Sequence, residues 1–284
     1  MPAMNRSIAL VARGAILVVG VVLMLVPGCR RGGTGAPTTQ QGQHRAEVLV
    51  LCGGSMRAPI EELVEKYGAV CGDLVRVSYG DSADLCSQVQ SGGKGDIFVC
   101  HDPFMDWAAK QGRIRESKPV GRLAVVLVAP KDGTKGIQGV ADLAKGGLRI
   151  GVGDMTYSTS GFIVKSMLRN HPDGEAIRKN IRFETRSHRE LVEAVVMGNL
   201  DAALTWNLVA HLYADRLNVF ALPEQYIDEV SSAPDQPSNL RNIKISVGIL
   251  SMAGDGEPVR RFYEFLTKEG PAVFRAHNAA PLRE

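Results

Sequence analysis

Apolar residues in this chain come in two spacings, and the two alternate. Short runs rich in Val and Ile read as buried strands at Glu47–Cys52, Leu74–Tyr79, Asp96–Cys100, Arg122–Ala129, Leu148–Gly153, Ile181–Thr185, Asp201–Trp206, Leu217–Leu222 and Ile243–Leu250. Between them the spacing becomes helical. Ala58–Tyr67 places Ile60, Leu63, Val64 and Tyr67 on one face, and the helix opened by Gly80–Ser82 carries Leu85 and Val89. Pro103 starts a helix with Phe104, Trp107 and Ala108 inward, and "YSTSG" leads into one with Phe162, Ile163 and Met167. Ser187 and Glu190 have the spacing of a capping box before "LVEAVVMG", and Pro258 begins a last long helix with Val259, Phe262 and Leu266.

Strand and helix in alternation predict an α/β fold with mostly parallel sheets covered on both faces. The pattern runs twice, so two lobes are expected. The last strand and helix are expected to return to the first lobe. That gives a first lobe over 47–121, a second over 122–245 and a return over 246–284, with Arg122–Ala129 and Ile243–Leu250 as a two-strand hinge. The polar, Pro-containing "SSAPDQPSNLRN" interrupts the second lobe.

The amino-terminal segment follows other rules. Arg6 and Arg13 precede the apolar "AILVVGVVLMLV", which is short for a membrane span and has the order of a secretory signal. Cys29 directly after Gly28 resembles a bacterial lipoprotein cleavage site, so 1–29 reads as a signal ending at a lipidated Cys29. An uncleaved anchor is the plainer alternative. Either places the protein outside the cytoplasm, on the periplasmic or extracellular face of a bacterial membrane. Residues 30–46, rich in Gly, Thr and Gln, read as a flexible tether.

Composition removes some functions. Over 284 residues the formal charge is only +3, and Lys and Arg are scattered among Asp and Glu, so no nucleic-acid stripe is present. Cys52, Cys71, Cys86 and Cys100 permit disulfides in an exported protein, but their spacings fix no pairing, and free buried thiols fit as well.

The chemistry lies where strands end and helices begin. Ligands of parallel sheets sit beyond the carboxyl ends of the strands. Four corners here carry a hydroxyl at such a place: Gly54–Ser55, Asp81–Ser82, Thr159–Ser160–Gly161 and Ser187–His188–Arg189. A helix start has unpaired N–H groups and partial positive charge, so a hydroxyl beside it makes an anion site without a formal countercharge. For any one corner, a serine that merely caps its helix is the commoner case.

Quoted in order, "LVLCGGSMRAPIEELVEKY", "VRVSYGDSADLCSQVQSGGKGDIFVCHDPFMDWAAKQG", "RLAVVLVAP", "EAVVMGNLDAALTW" and "VRRFYEFLTKEGPAVF" resemble the periplasmic molybdate-binding protein family of ABC importers over about Glu47 to Phe274. The resemblance implies the type II periplasmic binding fold and a small oxyanion, molybdate or tungstate, held between lobes without catalysis or cofactor. It also implies an ABC permease as partner and a monomeric binding protein. It assigns hydroxyl and N–H donation to Ser55 and Ser82 with Gly54 beside them, and backbone N–H donation to Ser160 and Arg189. Where the family often has a Tyr, this chain has Trp206 or Asn207; Asn207 offers an amide and Trp206 an indole N–H. Tyr157 is a candidate replacement for the lost hydroxyl.

Other readings stay open. The same fold could take a sulfate-like or small organic anion, with Arg189 and His188 supplying positive charge. Cys52, Met56, Cys86, Cys100 and His101 could gather as a soft-metal or redox site, although no CxxC or HxxxH is present. Cys52 with His101, Asp102 or Asp106 could be a nucleophile and base, but the simpler expectation is that Asp102 and Asp106 cap the Pro103 helix.

Overall fold

The structure is a computed structural model, and it describes residues 47–133, 135–230 and 238–283. The signal, the lipidated Cys29 and the tether lie outside the described residues, as does part of the polar interruption.

The described residues form two five-stranded sheets. The first contains β1 (Glu47–Gly53), β2 (Leu74–Gly80), β3 (Ile97–His101), β4 (Ile114–Leu123) and β10 (Ile243–Leu250), ordered β2-β1-β3-β10-β4. The second contains β5 (Val125–Pro130), β6 (Ile150–Gly153), β7 (Ile181–Thr185), β8 (Ala202–Trp206) and β9 (Leu217–Ala221), ordered β7-β6-β8-β5-β9. Each sheet is mixed. Three parallel strands are followed by one antiparallel strand, β10 or β5, and then by a fifth strand antiparallel to that one.

Helices α1 (Arg57–Val70), α2 (Ser82–Gln90), α3 (Phe104–Lys110) and α8 (Glu257–Ala276) cover the first sheet. Helices α4 (Thr159–Asn170), α5 (Gly174–Arg178), α6 (His188–Val196) and α7 (Asn207–His211) belong to the second lobe. Period-two alternation sorts the first sheet's side chains. Val50, Cys52, Ile97 and Val99 join the large core under α1 and α8, while Leu51, Phe98 and Cys100 pack with Leu85, Val89 and Phe104 on the opposite face. Tyr67 fixes α1 to α8, its ring 4.7 Å from Phe262 and its hydroxyl donating to Asp73 at 2.7 Å.

Three expectations change. The strand expected over Arg122–Ala129 is two strands broken at Ala124, and the first begins earlier, at Ile114. The charged, Pro-containing "RESKPVG" conceals that start, because β4 is an edge strand and needs no continuous apolar run. The whole of β10 pairs with the first sheet, so Ile243, Lys244 and Ile245 belong to the first lobe and the second crossing precedes them.

Between β4 and β5 the chain passes from one sheet to the other through Ala124. Asn207 holds both polar groups of that residue. Its side-chain Oδ1 accepts from Ala124 N–H at 3.0 Å, and its own N–H donates to the Ala124 carbonyl at 2.9 Å. Its Nδ2 donates to the Asn278 carbonyl at 2.7 Å, just beyond α8. Asn207 is 4 % exposed and does not line the cleft, so the ligand role expected of it is corrected to that of a pin between the lobes.

Candidate functional site

The carboxyl ends of β1, β2, β3, β6 and β8 meet a cleft of about 400 Å³ whose walls come from both sheets. Gly54, Ser55, Ser82, Ser160, Arg189 and Trp206 all line it. The structure thus brings together six of the seven expected ligand residues and leaves out Asn207.

The first lobe presents two helix openings. A 3-10 turn over Gly54–Met56 runs into α1, and α2 starts at Ser82. Neither Gly53 nor Gly54 adopts the left-handed region, so the chain turns here through ordinary backbone. Gly53 is required by close approach: a Cβ there would lie 2.8 Å from the Ser82 hydroxyl and 2.6 Å from Met56 Cε. Asp81 caps α2, its Oδ1 accepting from Ala83 N–H at 2.9 Å and Asp84 N–H at 3.4 Å, so the Ser82 N–H has no intrahelical acceptor.

The second lobe repeats the corner with a different result. Gly153 makes room as Gly53 does, since a Cβ there would meet the Ser160 hydroxyl at 2.2 Å. Ser160 is fully buried, and its hydroxyl contacts His188 Nε2 and Ser158 Oγ, each at 3.1 Å. Ser158 donates to the Asp154 carbonyl at 2.7 Å and accepts from Gly161 N–H at 3.0 Å. One assignment uses each hydrogen once: Thr205 hydroxyl to His188 Nδ1, His188 Nε2–H to Ser160, Ser160 to Ser158, Ser158 to Asp154. The Ser160 hydroxyl is therefore spent internally, and what the α4 opening offers a ligand is the N–H groups of Thr159 and Ser160.

At α6 the expected capping box is half formed. Ser187 Oγ accepts from Glu190 N–H at 3.4 Å, but the Glu190 carboxylate takes the Thr185 hydroxyl at 2.8 Å. The first N–H groups of α6, those of His188 and Arg189, remain without intrahelical acceptors. The Arg189 side chain is 56 % exposed and turns toward Glu193. Tyr157, 71 % exposed at the rim, does not replace a buried hydroxyl.

Trp206 lies buried between two imidazoles, its ring 5.7 Å from His101 and 5.4 Å from His188. Burial, and then the neighbouring His101, pushes His188 down to about 3, so it is neutral. Burial also lowers His101, whose Nδ1 lies 2.7 Å from the Asp102 carbonyl oxygen. Asp102 does not cap the following helix. Its Oδ2 accepts from Lys244 N–H at 3.1 Å, and burial followed by the charge of Asp106 raises its carboxyl to about 6. Asp106 makes no side-chain cap either.

The thiols do not converge on the cleft. Cys52, Cys71, Cys86 and Cys100 are all free, and burial pushes Cys52 and Cys100 well up and Cys86 to about 12. A protonated thiol is a poor nucleophile and a poor metal ligand. Arg186 escaped the sequence reading. It reaches from the loop before α6 across the cleft to Asp81, and to Asp84 at 3.1 Å. A capping Asp facing an unassigned Arg is the only trace of it in the sequence.

Two α/β lobes joined by crossing segments, with helix openings of both facing one cleft, define a two-lobed solute-binding protein. Residues 48–277 match the family model described as bacterial extracellular solute-binding protein, and the chain belongs to that family. It is 20 % identical over 242 residues to a protein of Haemophilus influenzae described as a binding protein, covering 84 % of this chain and 92 % of that one. The Azotobacter vinelandii periplasmic molybdate-binding protein is 16 % identical at a TM-score of 0.67, covering 83 % of this chain and all, 100 %, of that one. The substrate-binding domain assigned to a molybdenum ABC transporter of Clostridium difficile is 19 % identical at a TM-score of 0.65, covering 84 % and 100 %. Structures of a sulfate-binding, an iron-bound and a thiamin-binding protein superpose at 0.64, 0.61 and 0.64, so the likeness fixes the fold and not the ligand.

Proposed function

We propose that the cleft holds a small tetrahedral oxyanion and that the protein carries it to an ABC importer without chemical change. One observation carries the reading: helix openings from both lobes, with Ser55 and Ser82 among their residues, line a single cavity. Ser55, Ser82 and the N–H groups of Gly54, Thr159, Ser160, His188 and Arg189 supply the donors, and one lobe rotating over the other closes the site. Molybdate and tungstate are the candidates that the resemblance supplies. Lipid at Cys29 would keep the protein beside its permease.

A second reading, an anion with an organic body, is favoured by the apolar residues in the lining, Phe104, Leu208 and Val209 among them. Trp206 in place of a hydroxyl-bearing ring adds an apolar wall.

Titration calorimetry of the protein with molybdate, tungstate, sulfate and phosphate tests the proposal. Saturable binding of at least one, lost when Ser55 and Ser82 are both changed to Ala, is expected. No binding of any of them would leave the fold intact and remove the oxyanion.

A further inference from the structure

We propose that His101 reads a proton on the ligand, its Nε2 accepting a hydrogen bond from an acidic OH, so that the cleft prefers a protonated phosphorus oxyanion to sulfate or molybdate. This rests on the reading that an oxyanion occupies the cleft, and it narrows the class.

The tautomer follows from one contact. His101 Nδ1 is 2.7 Å from the Asp102 carbonyl oxygen. A carbonyl only accepts, so Nδ1 carries the hydrogen. In a neutral ring Nε2 then carries none and can only accept. The surroundings keep the ring neutral. His101 is 6 % exposed, with the Phe104 ring 5.4 Å and the Trp206 ring 5.7 Å away. The charged or titratable groups near it are few. Asp81 at the start of α2 favours a charged ring, but Asp81 is engaged by two N–H groups of its own helix and by Arg186. His188 on α6 is itself neutral and adds no charge. On the β10 side the Asp102 carboxylate faces the Lys244 N–H.

His101 lines the cleft, and its Nε2 is neither paired within the described protein nor among the polar atoms sealed from solvent without a partner. It is thus a nearly buried acceptor aimed at the ligand space. His188 cannot do the same, because Thr205 and Ser160 occupy both of its nitrogens. The rest of the site offers N–H groups and hydroxyls. An oxyanion without a proton would set its lone pairs against that of Nε2. Hydrogen phosphate, or a phosphonate or phosphate monoester in its singly protonated form, has the matching OH.

The test is calorimetric titration at neutral pH with inorganic phosphate, methylphosphonate, sulfate and molybdate, for the wild type, His101→Phe and His101→Gln. Each titration is run in two buffers of different ionisation heat. Phosphate or methylphosphonate should bind at least about tenfold tighter than sulfate or molybdate. The preference should collapse in His101→Phe, through weaker phosphate binding and through relief of the lone-pair clash with sulfate and molybdate, and return in part in His101→Gln, whose carbonyl accepts. Phosphate without methylphosphonate would mark the inorganic ion, and both would mark a head group with an organic body. Nitrogen NMR of the free protein should show an unprotonated Nε2. Sulfate or molybdate bound as tightly as phosphate, or a proton taken up from buffer with sulfate, would overturn the proposal and leave the oxyanion site standing. No binding by any of the four would overturn both.

Discussion

The two lobes share one strand plan and put their serine corners to opposite uses. In each, three parallel strands are followed by an antiparallel fourth and a fifth, and a glycine at a strand end makes room for a serine hydroxyl, Gly53 for Ser82 and Gly153 for Ser160. In the first lobe Ser55 and Ser82 line the cleft. In the second, the Ser160 hydroxyl is consumed by Ser158 and His188. The same local sequence signal, Ser at a helix start, thus accompanies a proposed ligand donor in one lobe and a structural relay in the other. The difference is set by a neighbour distant in sequence, since His188 is supplied by α6.

Removing hydroxyls lobe by lobe separates the two uses. Changing both Ser55 and Ser82 to Ala removes two bonds to a charged ligand, each worth about 1.5–3 kcal/mol, and should weaken oxyanion binding by roughly a hundredfold or more. Ser160→Ala should leave affinity within about threefold while lowering unfolding stability by about 1–2 kcal/mol, because buried His188 loses a partner. Calorimetry and urea melts on the same samples separate the two. Equal affinity losses from the two lobes would end the distinction.

Asn207 tests what joins the lobes. Asn207→Ala leaves the Ala124 N–H and the Asn278 carbonyl without their partners. Each such group costs about 1–3 kcal/mol, so urea unfolding should shift by about 2–6 kcal/mol in total. A stable Asn207→Ala variant with lost ligand binding would return Asn207 to the site.

Most of the fold was legible because both kinds of periodicity are strong. Runs such as "IFVCH" and "AALTW" are wholly buried and read as strands on composition alone. β4 was partly missed because an edge strand tolerates the charges and Pro of "RESKPVG". The serine corners were legible as punctuation between strand and helix. The roles of Asn207 and Arg186 were not, because each is fixed by a partner from another element: Ala124 and Asn278 for Asn207, Asp81 for Arg186. Asn207 follows directly on a strand that ends in the cleft, and only the backbone of the crossing segment shows that its amide faces the hinge.

The lobes also differ in what they bury. The first buries Asp102, raised to about 6, and the second buries His188, lowered to about 3. The signs are opposite. Asp102 binds its proton more tightly folded than unfolded, so its contribution is complete below about pH 4 and is lost as pH rises through about 6. The contribution of His188 is complete above about pH 6.5 and is lost as pH falls toward about 3. Asp102→Asn keeps an acceptor for Lys244 N–H and removes the titration. It should raise stability at neutral pH by about 1–2 kcal/mol and leave the acid-side decline in place. Urea midpoints across pH check this, and an unchanged neutral-pH midpoint would place the Asp102 carboxyl in a less costly setting.

Arg186 gives the smallest effect and the most specific one. It crosses the cleft from the second lobe to Asp81 and Asp84 of the first, with 42 % of its side chain exposed. Exposed pairs are worth about 0–1 kcal/mol, so Arg186→Ala should barely move unfolding stability. Its loss acts on closure instead. It removes a contact between the lobes, and it uncovers the Asp81 carboxylate at the lip of the proposed oxyanion site. Both effects weaken oxyanion binding in the same direction, by about two- to fivefold. Screening separates them: the part due to Asp81 should shrink as salt rises to about 1 M, where charges interact over only about 3 Å, and the part due to the lost contact should persist. A loss well beyond tenfold that is insensitive to salt would mean that Arg186 leaves Asp81 on closure and bonds the ligand itself, making the second lobe a source of side-chain as well as backbone donors.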